Sequence, residues 1–149
     1  GEIDSVSRAN EKTNINVGIT INWARSVIEK RNVLGAVEHI SEVAQSCMLS
    51  GIMFSGVTDI KDHKYGQWED THMPPARAFD VEYYEDGSLM TVENIEASLM
   101  ACDMKALDYI GIKLQAMPKD ALIERRVGIN RDAMKILDIV TSRVHDANV

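Results

Sequence analysis

At 149 residues the chain has the length of one ordinary domain and can bury a real core. Apolar residues make up 45% and charged residues 26%, a balance that excludes wholesale disorder. The net charge of −7 argues against a nonspecific grip on nucleic acid, and no apolar run reaches the roughly eighteen residues of a membrane span.

The first fourteen residues, GEIDSVSRANEKTN, are polar and aperiodic and begin with Gly1 rather than Met. They read as a cloning remnant or loose lead-in, with the tail of a preceding helix as a further reading. The polypeptide is then expected to be a piece of something longer, with one partial domain over 15–149. Three strand-like runs follow, at 16–23, 51–57 and 109–117, each succeeded by a helical pattern. Val37, Ile40, Ala44, Cys47 and Met48 give an apolar stripe over 34–49. Thr91 is the expected N-cap of a helix over 92–105, with Val92, Ile95, Leu99 and Cys102 inward. DALIERR predicts a short helix that Gly128 breaks. Asn130 then caps a last helix over 130–146, which buries Met134, Leu137, Val140 and Val144. EDGS at 85–88 is the one hairpin-like signal. Cys47 and Cys102 fit no CxxC or Cys/His pattern and read as buried thiols of a cytoplasmic protein.

The order strand–helix, three times over, predicts βα units and a parallel sheet. Within the strands, Ile19, Ile21, Ile52, Phe54, Ile110 and Ile112 alternate with Gly18, Thr20, Asn22, Gly51, Met53, Ser55, Gly111, Lys113 and Gln115. One face is therefore greasy, and the other is small and then polar toward the strand ends. A polar second face suits the inside of a (β/α)₈ TIM barrel, whose C-terminal mouth carries the chemistry. The predicted fold is three consecutive βα units from the C-terminal part of such a barrel, with a flavodoxin-like α/β sandwich as the alternative.

The motifs GITINWARSVIEKR, GIMFSGV, YGQWEDTHMPP, SLMT and YIGIKLQAMP, chained from about residue 16 to the end, resemble the C-terminal half of a bacterial family of xylose-isomerase-like TIM barrels. The resemblance implies further N-terminal βα units beyond this chain. It also implies a sugar isomerase or epimerase setting, where a divalent metal is held by carboxylates and imidazoles at the barrel mouth. The full ligand set of that superfamily is not visible in this sequence.

Connections in compact domains are mostly four to six residues, and loops beyond about fifteen tend to be functional or disordered. The segment after the second strand is far longer and carries Trp68, Asp70, His72, Pro74 and Pro75. Asp70 and His72 form an Asp-x-His pair. It could start a Mn, Mg or Zn site, serve acid–base chemistry or substrate hydrogen bonding, or be ordinary loop polarity. The two prolines stiffen the loop. Asn22 and Arg25 end the first strand, where Asn22 could fix a sugar hydroxyl and Arg25 a carboxylate or phosphate; a surface arginine is the plainer reading. Lys113 on the inner face is a candidate proton carrier or oxyanion stabiliser, or half of a structural ion pair, and Gln115 is its hydrogen-bonding neighbour. Trp68 could stack on a sugar ring or pack the loop down. His39 and His63 read as surface residues. There is no nucleophile elbow, P-loop or Rossmann fingerprint.

The function expected is a sugar or sugar-derivative isomerase or epimerase that moves a proton next to a carbonyl. Its ligand would be a small carbohydrate-like molecule. The alternative is a non-catalytic ligand-binding or assembly module of the same fold. A broken barrel leaves two open sheet edges, so a homo-oligomer is expected, with no nucleic-acid or membrane partner.

Overall fold

The computed structural model describes all 149 residues. It is an α/β structure whose sheet has three parallel strands, β1 (Ile19–Asn22), β2 (Leu49–Phe54) and β3 (Tyr109–Ile112), in the order β1-β2-β3. Five α-helices accompany them: α1 (Glu2–Thr13), α2 (Trp23–Lys30), α3 (Leu34–Gln45), α4 (Val92–Met100) and α5 (Ile123–Ala147). A 3₁₀ turn at Met104–Ala106 leads into β3. No helix is long and apolar enough to cross a membrane.

The alternation read from the strands sorts the two faces as expected. Ile52 and Phe54 are fully buried among Val27, Ile40, Ile95, Leu99, Ile136 and Val140, so α2 to α5 share one apolar core with the sheet. Each such side chain contributes about 1.5–3 kcal/mol by leaving water. On the other face the Tyr109 ring lies across Gly51, where an added Cβ would come within 2.6 Å of it, and its hydroxyl hydrogen-bonds Thr20. Thr20 and Tyr109 are exposed.

Several elements depart from the sequence-based expectation. The lead-in takes the helical alternative rather than the loose one: Ile3 of α1 touches the core, and Asn10 clamps Val17 through bonds of 2.9 and 2.8 Å to its main chain. Trp23 does not end β1 but begins α2, because Asn22 caps that helix by accepting the Arg25 N–H at 3.3 Å. The Trp23 indole is fully buried and donates to Ser98 at 2.8 Å. The short helix and the last helix are one, α5. Gly128 sits buried inside it against the Tyr83 ring, and Asn130 caps nothing but donates to the Arg126 carbonyl at 2.8 Å. Met134 is 38% exposed, and Ala133 and Ile136 fill the core in its place. Cys47 is exposed in a left-handed turn at φ 60°, and Cys102 is half-buried. Burial, then the charge of Asp103, pushes the Cys102 thiol up. EDGS is a turn without flanking strands, with Gly87 at φ 79°. Thr91 caps α4 as expected, accepting the Asn94 N–H at 3.2 Å.

Candidate functional site

The long segment between β2 and α4 has almost no regular structure, yet its main chain is laced down. Gly56 N–H donates to the Met73 carbonyl at 2.7 Å, Trp68 to Thr58 at 2.9 Å, Leu89 to Val57 at 2.8 Å and Ala76 to Met90 at 3.0 Å. Val57, Thr58, Tyr65, Met73 and Met90 are essentially fully buried. Such a segment is a positioned platform, not a slack connection.

That platform places Asp70 and His72 at the C-terminal ends of the strands. Lys113 continues β3 by donating its N–H to the Phe54 carbonyl at 2.9 Å, and two residues on Gln115 N–H reaches the His72 carbonyl at 2.8 Å. From the first strand's end, Arg25 Nε donates to Asp70 Oδ2 at 2.9 Å. His72 Nδ1 lies 3.1 Å from Asp70 Oδ1. Arg25, from the end of the first strand, and His72, from the loop after the second, therefore contact one carboxylate, and the Lys113 charge acts on it from the end of the third.

The electrostatics follow from that meeting. Burial pushes the Asp70 carboxyl up, but the Arg25 hydrogen bond and the charges of His72, Arg25 and Lys113 outweigh it and hold the group below the usual carboxylate range. An ionised carboxylate only accepts, so His72 must donate through Nδ1. In neutral His72 this leaves Nε2 as the basic nitrogen. Trp68 and His72, two residues either side of Asp70, adopt left-handed conformations at φ 54° and 59°. Such non-glycine residues cost on the order of 1–3 kcal/mol and cluster where a site holds them in place.

Of the expected site residues, Arg25, Asp70 and His72 are in contact, and Lys113 is near enough to act on Asp70. Asn22 stands beside them but spends its carbonyl oxygen on the α2 cap. Gln115 joins through its main chain, and it also lines an open crevice of about 340 Å³ with Leu114, Lys119, Arg126 and Asn130. Trp68 is half-buried and packs against the core. His63 is not a surface residue: its side chain is only 14% exposed, and both ring nitrogens are within hydrogen-bonding distance of main chain, at Tyr65 N and the Asp86 carbonyl.

Sequence reasoning placed Ser55 on the polar strand face without giving it a role, and it missed Tyr65. Ser55 is fully buried and its Oγ has no protein partner. Tyr65, buried under the loop, donates its hydroxyl to the Gln115 carbonyl at 2.9 Å. The only sequence signal for Tyr65 was its place in YGQWEDTHMPP. No three His, Cys, Asp or Glu side chains are grouped so as to hold a metal ion.

No solved structure matches the chain. An uncharacterised protein of Salmonella typhimurium is 34% identical over 127 residues, which cover 85% of this chain and 38% of that protein. The chain thus spans well under half the length of this relative. A family profile described as a domain of unknown function, DUF4862, matches residues 1–129. With most of its length inside that match, the chain belongs to the DUF4862 family.

Proposed function

We propose that this chain supplies part of the active mouth of a xylose-isomerase-like TIM barrel, acting on a small carbohydrate-like ligand by proton transfer next to a carbonyl. The observation that carries the reading is the contact of Arg25 and His72 with Asp70 beyond the carboxyl ends of the parallel strands, with the Lys113 charge acting on the same carboxylate. Parallel α/β proteins bind ligands outside the carboxyl ends of their strands. His72, oriented by Asp70, would take a proton through Nε2 from the carbon beside the carbonyl. The Lys113 ammonium would stabilise the enolate oxygen that forms; for epimerisation the proton would return to the same carbon from the opposite face, and for isomerisation to the neighbouring carbon while a hydroxyl proton passes between the two oxygens. Arg25 and Asn22 would orient ligand oxygens.

Asp70 and His72 could give a Mn, Mg or Zn ion two ligands, but Arg25 already occupies one Asp70 oxygen. The residues present do not make a metal site on their own, and a bound ion would need further ligands from outside this chain.

The test is exchange of the C2 hydrogen of D-xylose and related aldoses in D₂O. The full-length protein should catalyse it, and His72→Ala or Lys113→Ala should abolish it without unfolding the protein. Near-normal exchange in either variant removes that residue from the mechanism.

A second reading, an assembly module, is favoured by the uncovered Thr20–Tyr109 face and by β1 and β3 as unpaired edges. Open edges predict self-association under either reading, seen as a light-scattering mass that stays at two or more times 16.6 kDa on dilution; what marks the assembly module is full-length protein that self-associates but shows no aldose exchange. A cytoplasmic setting fits the two unpaired thiols.

A further inference from the structure

One buried residue grips the Asp70–Thr71–His72 tripeptide from both sides. The Tyr65 carbonyl accepts the Thr71 hydroxyl at 2.5 Å. Its phenol donates to the Gln115 carbonyl at 2.9 Å, and the next link, Gln115 N–H to the His72 carbonyl, is 2.8 Å. Tyr65 is itself fixed. It is 1% exposed, its N–H donates to His63 Nδ1 at 3.2 Å, and its ring stacks on the His63 ring at 6.0 Å between centroids. His63 is anchored in turn through Nε2 to the Asp86 carbonyl at 3.1 Å. Burial, helped by the charge of Glu85, pushes the phenol up to about 12, so it remains a proton donor across the working pH range.

This grip answers a specific need. His72 sits at φ 59°, a left-handed conformation uncommon for non-glycine residues, so where its ring points depends on how its main chain is held. If the peptide relaxed, the ring would swing away from Asp70 and lose the hydrogen bond that decides which nitrogen carries the proton.

We infer that Tyr65 is the positioning residue of the Asp70–His72 pair, holding the His72 main chain so that Nδ1 faces Asp70 and Nε2 is presented to the ligand. The inference rests on the proton-transfer reading of that pair. Tyr65 acts on the pair only through Thr71 and Gln115.

The test is Tyr65→Phe in the full-length protein, which keeps the ring and removes one hydroxyl. The readout is the imidazole nitrogen spectrum of neutral His72, assigned by its loss in His72→Asn. The wild type should show the Nδ1–H tautomer in large excess. Tyr65→Phe should cut that preference roughly tenfold, the equivalent of one hydrogen bond. Thr71→Val, which severs the other link, should move it the same way, and it decides the matter if Tyr65→Phe does not fold. A folded variant that keeps the wild-type tautomer, even with a lower melting temperature, overturns the inference and leaves Tyr65 a structural residue. The readout needs no ligand, so it is separate from the aldose exchange test. Inactive wild-type protein would sink the proton-transfer reading, and with it the inference that depends on that reading, whatever the tautomer.

Discussion

Gly128→Ala sets two known effects against each other at one buried position of α5. Alanine is about 1 kcal/mol more favourable than glycine inside a helix, so propensity alone predicts a stabilised protein. The structure predicts the opposite sign. A Cβ on residue 128 would lie 2.3 and 2.5 Å from two carbons of the Tyr83 ring, far inside van der Waals contact. The ring cannot simply drift aside. The Tyr83 N–H is fixed to Asp132 at 2.7 Å, the Arg131 guanidinium lies over the ring at 5.8 Å, and the ring packs on Ala116, Ala121 and Ile129. Overpacking of this kind costs about 1–3 kcal/mol and approaches the upper part of that range when the neighbour is pinned. The net expectation is a loss of about 1–2 kcal/mol, read as a fall in the urea midpoint with unchanged slope. The sharper assay is a double-mutant cycle with Tyr83→Ala. Without the ring, Gly128→Ala should become stabilising by up to about 1 kcal/mol. A loss of the same size in both backgrounds would refute the steric argument.

Three more predictions follow from the same kind of reasoning. Asp132 is 4% exposed and its carboxylate accepts the Glu82 and Tyr83 N–H groups at 2.9 and 2.7 Å, so Asp132→Ala should cost about 3 kcal/mol in urea unfolding. Burial opposes ionisation of Asp132, but the hydrogen bonds from Tyr83, Arg131 and Glu82 outweigh it and hold the carboxyl low. Its stabilisation should therefore be complete above the ordinary carboxylate pKa near 4 and fade as pH falls through the lower folded value, a pH dependence that Asp132→Asn should lack. Arg25 is 72% exposed, so Arg25→Ala should cost well under 1 kcal/mol, while carboxyl NMR should show Asp70 titrating at higher pH than in the wild type. Ser55→Ala removes a buried hydroxyl that has no protein partner, so the melting temperature should hold or rise. A clear fall would show that the hydroxyl has a partner of its own.

Some of this was legible in the chain and some was not, for physical reasons. Ile52 and Phe54 announced β2 because their alternation reflects a sheet with one buried face. Thr91 announced α4 because an N-cap is a local bond. Gly128 misled because its place in α5 is set by Tyr83, a partner 45 residues earlier by number, and tertiary fit overrode local propensity. The start of α2 was hidden because Asn22 and Trp23 continue the β1 alternation, although Asn22 is already capping. The helical lead-in offered no wide apolar stripe, only Ile3 and a few half-buried neighbours. At the site, Asp70 and His72 could be paired from their spacing. The Arg25–Asp70 contact and the Tyr65 grip depend on how the long loop folds back, which no local pattern encodes.

The most direct test of the central proposal is amide hydrogen exchange of the full-length protein with and without an aldose that undergoes C2 exchange. If Arg25, Asp70, His72 and Lys113 form the ligand site, peptides covering 66–74 and 110–116 should slow on binding, and His72→Ala should weaken the effect. Protection elsewhere, with these two segments unchanged, would contradict the placement of the site.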